Sequence, residues 1–230
     1  MPDAILGHRM AIYAAPPRVS ALAQAADAWF LPDPARDHWL EEPSLYGFHG
    51  TLKAPFRLAE GQDQDLLEQA MSVLAAELAP PEPVRLFPAI LGGFVALMPD
   101  PKDMPRIAAL AGHVVRAFEA FRAPLTPEEI ARRRRAELTQ AQDALMLRWG
   151  YPYVFEEFRF HMTLSGRLPD KDARAVLELA RAHFADALSE PMPLDRLWLF
   201  VQPVPGARFQ PQRYFRLSGG AQPSMYATGE

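Results

Sequence analysis

Between residues 9 and 16 the chain alternates, with Met10, Ile12 and Ala14 on one side and Arg9, Ala11 and Tyr13 on the other, a period of two that predicts a strand. From 18 to 30 the interval becomes helical, with Val19, Leu22, Ala26 and the Trp29–Phe30 pair recurring along one face. Residues 32–46 hold Pro32, Pro34 and Pro43 and read as a loop. The run "FHGTLKAPF" is a second strand, ended by Pro55, and 63–80 is a helix stopped by Pro80 and Pro81. Gly92 and Gly93 divide the apolar stretch 84–99 into the two strands of a hairpin.

Helical patterns follow at 103–121 and at 126–152. The second opens with Thr126 as N-cap, Pro127 at the first helical position and Glu129 where a capping box places it, and closes at Gly150 and Pro152. Then come a strand at 158–165, a helix over 170–188, and strands at 194–203 and 208–218. Each half of the chain thus has one strand carrying H-x-T-L, followed by a helix and two more strands. Strands and helices do not alternate one for one, which predicts an α+β fold with mainly antiparallel sheets. We expect two pseudo-symmetric lobes within a single bilobal domain over 1–230, with the helical excursion at 126–152 placed to cover a cleft.

The two H-x-T-L words, "HGTL" at 49–52 and "HMTL" at 161–164, each follow a phenylalanine. On a pleated strand His49, Thr51 and Lys53 share one face, opposite Phe48, Gly50 and Leu52. Likewise His161, Thr163 and Ser165 oppose Phe160, Met162 and Leu164, with Arg159 and Arg167 on the polar side. A single such pair is most simply a hydrogen-bonded structural histidine. Two pairs in matching contexts suit another use. An imidazole titrating at about 6.5 gives or takes a proton at neutral pH, and a threonine hydroxyl donates to an anionic oxygen. Facing each other, the pairs could hold a phosphoryl group between a base and an acid.

Composition narrows the field. The chain has 230 residues, 49% hydrophobic and 23% charged, ordinary for a globular protein. Its net charge of −4 argues against long nucleic acid or anionic membrane as partner. The absence of cysteine excludes disulfide and thiolate chemistry and suits the cytoplasm. "MPDAILGHRMAIYAAPP" lacks the charged start and long apolar run of a signal peptide, and no run is long enough to span a membrane. No H-E-x-x-H or Cys/His cluster is present, so neither metal nor cofactor is expected. His8, His38, His113 and His183 stand in no comparable context and read as surface or packing residues.

With both tetrapeptides intact, the chain resembles the 2H phosphoesterase superfamily, named for paired H-x-[ST]-hydrophobic motifs. The flanking words "YGFHGTLKAPFRL" and "WGYPYVFEEFRFHMTLSGRL", with "RMAIYAAPP", resemble a bacterial subgroup associated with phosphonate metabolism. The resemblance implies facing strands about a central cleft with helices outside. It implies His49 and His161 as the catalytic acid/base pair and Thr51 and Thr163 as phosphate ligands. It further implies a metal-independent phosphodiesterase, a hydrolase of phosphoric diester bonds that opens a small cyclic phosphate. Which histidine is base and which acid stays open.

Around that centre Tyr13 is a candidate for stacking on a base or sugar, with core packing as the alternative. Lys53 and Arg159 are candidates for added positive charge, with solvated strand ends as the alternative; Arg167 and Tyr46 rank below them. The Arg132–Arg135 run reads as a solvated helix face, with Glu128–Arg132 and Glu129–Arg133 at ion-pair spacing. Two other functions fit the same residues: an RNA-end cyclic phosphodiesterase or ligase, and a non-catalytic module binding a phosphorylated metabolite.

Overall fold

The structure, a computed structural model, describes residues 8–34 and 36–219; residues 1–7, on which the expected lack of a leader depends, lie outside it. The described strands are β1 (Arg9–Ala14), β2 (Gly50–Phe56), β3 (Leu86–Leu91), β4 (Phe94–Pro99), β5 (Met162–Thr163), β6 (Arg196–Gln202) and β7 (Gln210–Arg216). They join in one open sheet in the order β3-β4-β5-β2-β1-β6-β7, with antiparallel pairing throughout. The chain therefore has the mainly antiparallel α+β architecture.

The two strand sets meet edge to edge, and their hairpins are exchanged. The β3–β4 hairpin, which follows the first H-x-T strand in sequence, pairs with the second through β4·β5. The β6–β7 hairpin, which follows the second, pairs with β1 beside the first. Between the sets, β2 and β5 share one register pair, Gly50 with Met162.

Helices α1 (Ala21–Trp29), α2 (Asp37–Ser44), α3 (Gln64–Glu77), α4 (Met104–Ala117), α5 (Pro127–Arg134), α6 (Gln140–Trp149) and α7 (Asp170–Phe184) complete the fold. Met10, Ile12, Leu52, Met162 and Leu199 of the sheet pack with Leu67 and Met71 of α3, Ile107 and Val114 of α4, and Val176 and Phe184 of α7. That apolar face is the main core. The other face carries a smaller aromatic cluster, Tyr13, Trp198, Phe200 and Phe209, with Tyr46 packed against it. Every residue of β1 after Arg9 is buried, because both faces of this central strand are covered.

Three segments differ from the sequence expectation. The stretch read as a loop contains α2, with Pro43 in its last turn. Proline has no N–H for the carbonyl four residues back, and that carbonyl, of Trp39, accepts from Gly166 N–H at 2.7 Å instead. The expected helix at 126–152 is two helices, each opened by its own capping box, Thr126 with Glu129 and Thr139 with Gln142. Between them Glu137 takes φ +51°, and Arg134 clips the pair together through two bonds to Asp143, at 2.7 and 2.8 Å. The second H-x-T strand has only two ladder residues, since its backbone partners are largely elsewhere. Phe160 N–H meets the Met104 sulfur, Trp29 Nε1–H donates to Leu164 O at 2.9 Å, and Gly166 is held by α2.

Candidate functional site

His49 and His161 occupy equivalent positions, each immediately before the first residue of its strand. Each imidazole donates Nδ1–H to the carbonyl two residues upstream: His49 to Gly47 at 2.9 Å and His161 to Arg159 at 2.7 Å. Gly47 takes φ +73° to make that turn, a conformation that costs glycine little. The bond fixes the tautomer, so each Nε2 keeps its lone pair. At His49 the Thr51 hydroxyl lies 3.3 Å from Nε2, placed to donate to it. Tyr13, fully buried on β1, stacks its ring on His49 with centroids 3.7 Å apart and planes 19° from parallel. His161 is met by Phe94, with ring centroids 5.5 Å apart.

These groups border a cleft of about 810 Å³ on the aromatic side of the sheet, lined by Tyr13, His49, Thr51, Phe94 and Thr163 among others. Its surroundings set the protonation states. Burial lowers the His49 pKa to about 4; the Gly47 carbonyl opposes this, and a charge on His161 adds to it. Burial also lowers that of His161, against its bond to the Arg159 carbonyl. Both rings are therefore neutral near pH 7. An anion entering between them reverses the balance, because a negative charge at contact favours imidazolium.

The expected site residues divide cleanly. His49, Thr51, Thr163, Tyr13, Tyr46 and Arg167 border the cleft, and His161 stands beside it. Tyr13 is there as the plate behind an imidazole, its ring used up by His49 on one side and by Phe200 and Phe209. Lys53 is turned away. Ile12 pairs with Lys53 while Tyr13 pairs with Thr51, so Leu52 is an extra residue, a bulge that reverses the face of the residues after it. Lys53 is consequently 3% exposed, with Nζ donating to Val115 O at 3.1 Å and Glu119 at 3.0 Å on the helix side. Arg159 bonds through Nη1 to the carbonyls of Glu156 and Phe158 and is not among the cleft-lining residues, while its own carbonyl accepts from His161.

Sequence reasoning missed several lining residues: Arg9, His38, Glu41, Arg132, Arg133 and Tyr151. His38 and Glu41 arrive on the unforeseen α2. The arginine run divides between tasks, since Arg132 and Arg133 border the cleft while Arg134 pairs with Asp143. Helical spacing alone could have separated Arg133 from Arg134, though not told which faced the cleft. Ser165 is fully buried; its hydroxyl accepts from Val95 N–H and donates to Gly166 O, tying the end of the motif to β4.

Residues 51–210 match the model of a family described as a protein of unknown function, DUF1045. The chain belongs to the DUF1045 family. The match begins at Thr51, two residues after His49, and takes in the whole second motif. The DUF1045 chain is also similar to the ribose 1,5-bisphosphate phosphokinase PhnN of Janthinobacterium sp. (strain Marseille), 38% identical over 245 residues, covering 96% of this chain and 53% of the relative. The protein of the same name from Laribacter hongkongensis (strain HLHK9) is 37% identical over 220 residues, covering 88% and 50%. The chain spans about half the length of these curated relatives. Their names correct the expectation of a phosphoric diester hydrolase: both relatives are named as a kinase. No helix among the described residues is long and apolar enough to cross a membrane.

Proposed function

We propose that the cleft binds a small phosphorylated sugar and that His49 and His161 are the proton-transfer pair for displacement at its phosphorus. The observation that carries this reading is the repeated Nδ1–H···O=C bond, which leaves an Nε2 lone pair on each ring. The intact 2H-type motifs support it, and so does the ribose bisphosphate in the names of the half-matching relatives. A place in phosphonate metabolism follows from the same subgroup resemblance.

In this mechanism the Thr51 and Thr163 hydroxyls donate to non-bridging phosphoryl oxygens. One Nε2 takes the proton of the entering oxygen nucleophile as its bond to phosphorus forms. The other imidazole, charged by the proton that accompanies the anion, delivers its Nε2–H to the leaving oxygen as that bond breaks. The proton count is unchanged, and the two imidazoles exchange states. Tyr13 and the upstream carbonyls hold both rings in register throughout. Each imidazole contributes about 100- to 10,000-fold as general acid or base.

The test follows ribose phosphates and their cyclic and bisphosphate forms by ³¹P NMR, with wild type beside His49→Gln and His161→Gln. We expect wild type to convert at least one compound and each variant to lose about 100-fold or more while staying folded. Conversion at wild-type rates in both folded variants would remove the proposal.

A further inference from the structure

The cleft is electrically lopsided. Near α2 the carboxylates Glu41 and Glu42 border it together with a single arginine, Arg167, next to the Gly166 that α2 holds, while Arg9, Arg132 and Arg133 line it elsewhere. None of these three arginines has a carboxylate partner among the described residues. Glu129, the nearest candidate, is already engaged by Arg57 at 3.0 Å and by the Thr126 N–H at 2.8 Å. Burial, Arg132 and Arg9 disfavour the Arg133 cation, and Glu129, beyond ion-pair contact, only partly offsets them, an arrangement that an anion between the guanidinium groups would relieve.

Two details make this end more than a solvated fringe. The Arg133 Nε is buried and has no hydrogen-bond partner, and a buried unsatisfied donor is uncommon in a native structure. Its guanidinium lies 5.7 Å from the Tyr151 ring centre, beside a phenol whose pKa burial pushes up to about 12, so that its hydroxyl stays a donor. Arg9 is anchored by Nε to Gln202 at 2.7 Å and rests on Phe209, and no other polar contact occupies its remaining N–H groups among the described residues. That fixes a fork rather than a swinging side chain.

Arg9, Ala11 and Tyr13 share one face of β1, and Arg9 lies four residues before Tyr13, about 13 Å along the strand. The Arg9 guanidinium therefore borders the same cleft as His49, from further along the strand.

We propose that Arg9 and Arg133, with Tyr151, form a second anion subsite, so that the preferred ligand carries two phosphoryl groups held apart by a small sugar. One sits between His49 and His161 and the other on this arginine pair. The proposal rests on the phosphoester reading of the histidine centre, and adds what selects the ligand's far end. Arg132, exposed on the same helix, draws the anion inward without fixing it.

Isothermal titration with ribose 5-phosphate and ribose 1,5-bisphosphate separates the two claims. Wild type should bind the bisphosphate about tenfold or more tighter, the value of charge-assisted bonds to one further anion. Arg133→Met and Arg9→Met should each narrow that preference and together abolish it, leaving ribose 5-phosphate affinity within about twofold. His161→Gln and Thr163→Val should instead weaken both ligands. Equal wild-type affinities, or a preference that survives the double arginine variant with its melting temperature intact, overturns the second subsite alone. Failure of both ligands to bind wild type overturns the subsite and the phosphoester reading together.

Discussion

A methyl group at Gly50 would fall inside the ring of Phe160. That ring is 1% exposed and lies in the main core, so it has no free space to swing into. Gly50 is also the residue through which β2 pairs with β5, and it stands directly between His49 and Thr51, while Phe160 directly precedes His161. The contact therefore sets how closely the two motifs approach. Gly50→Ala must push one strand off the other. β2 is held by four register pairs to β1 and β5 by two to β4, so the single pair between them is where the sheet gives way. Overpacking of this kind costs about 1–3 kcal/mol. A displacement near 1 Å between catalytic groups costs about 100-fold in rate. We expect Gly50→Ala to fold, to melt earlier, and to lose more activity than its stability loss explains. Phe160→Leu, which trims the obstructing ring, should restore part of both in the double variant, so that a double-mutant cycle reads a favourable coupling. The assays are thermal unfolding and ribose phosphate conversion followed by ³¹P NMR. Stability within about 0.5 kcal/mol of wild type together with unchanged conversion would show that this contact does not gauge the site.

Acidification should destabilise the protein through His49. Above 6.5 the ring is neutral folded or unfolded, and below about 4 it is protonated in both; between these limits the unfolded chain binds the extra proton, so stability falls as pH drops, by about 3 kcal/mol over the whole window. Urea unfolding across this window should show a weaker pH slope in His49→Gln, and an unchanged slope would mean the ring is not desolvated. Lys53→Met should lower stability by about 2 kcal/mol, less than the loss for a wholly orphaned buried charge, because Glu119 keeps Arg122 at 2.6 Å. It should leave ribose phosphate affinity unchanged in titration, and a large affinity loss would return Lys53 to the cleft.

The class of the fold was legible because β1, α3, the β3–β4 hairpin and α7 each have an undisturbed period and clear stops. The histidine pair was legible for a different reason: its repetition outweighs the shortness of the word. The features that stayed hidden were set by partners far along the chain. Nothing local marks Leu52 as the extra residue of a bulge; the pairing of Ile12 and Tyr13 decides it, and with it the fate of Lys53. Pro43 argues against a helix on its own, but Gly166, more than a hundred residues later, takes up the carbonyl that the proline frees. The second capping box, Thr139 with Gln142, was present in the letters and would have divided the long helix correctly. The arginine end of the cleft could not be read at all, since Arg9 and Arg133 come together only after both are folded.

The exchanged hairpins constrain how such a chain can be made. Arg9 is bonded to Gln202, 193 residues later, and β1 has β6 as one of its two neighbours. During synthesis from the N-terminus, β1 and β2 emerge with both outer edges bare, and that of β1 stays bare until the β6–β7 hairpin has left the ribosome. Contacts of such long sequence separation are slow to form, and an unpaired apolar edge invites association with other chains in the interval. A nascent chain stalled just after the second histidine would hold both imidazoles yet lack the strands that back Tyr13, and so could not present a finished cleft. The cleft is completed late, with the closing of the sheet.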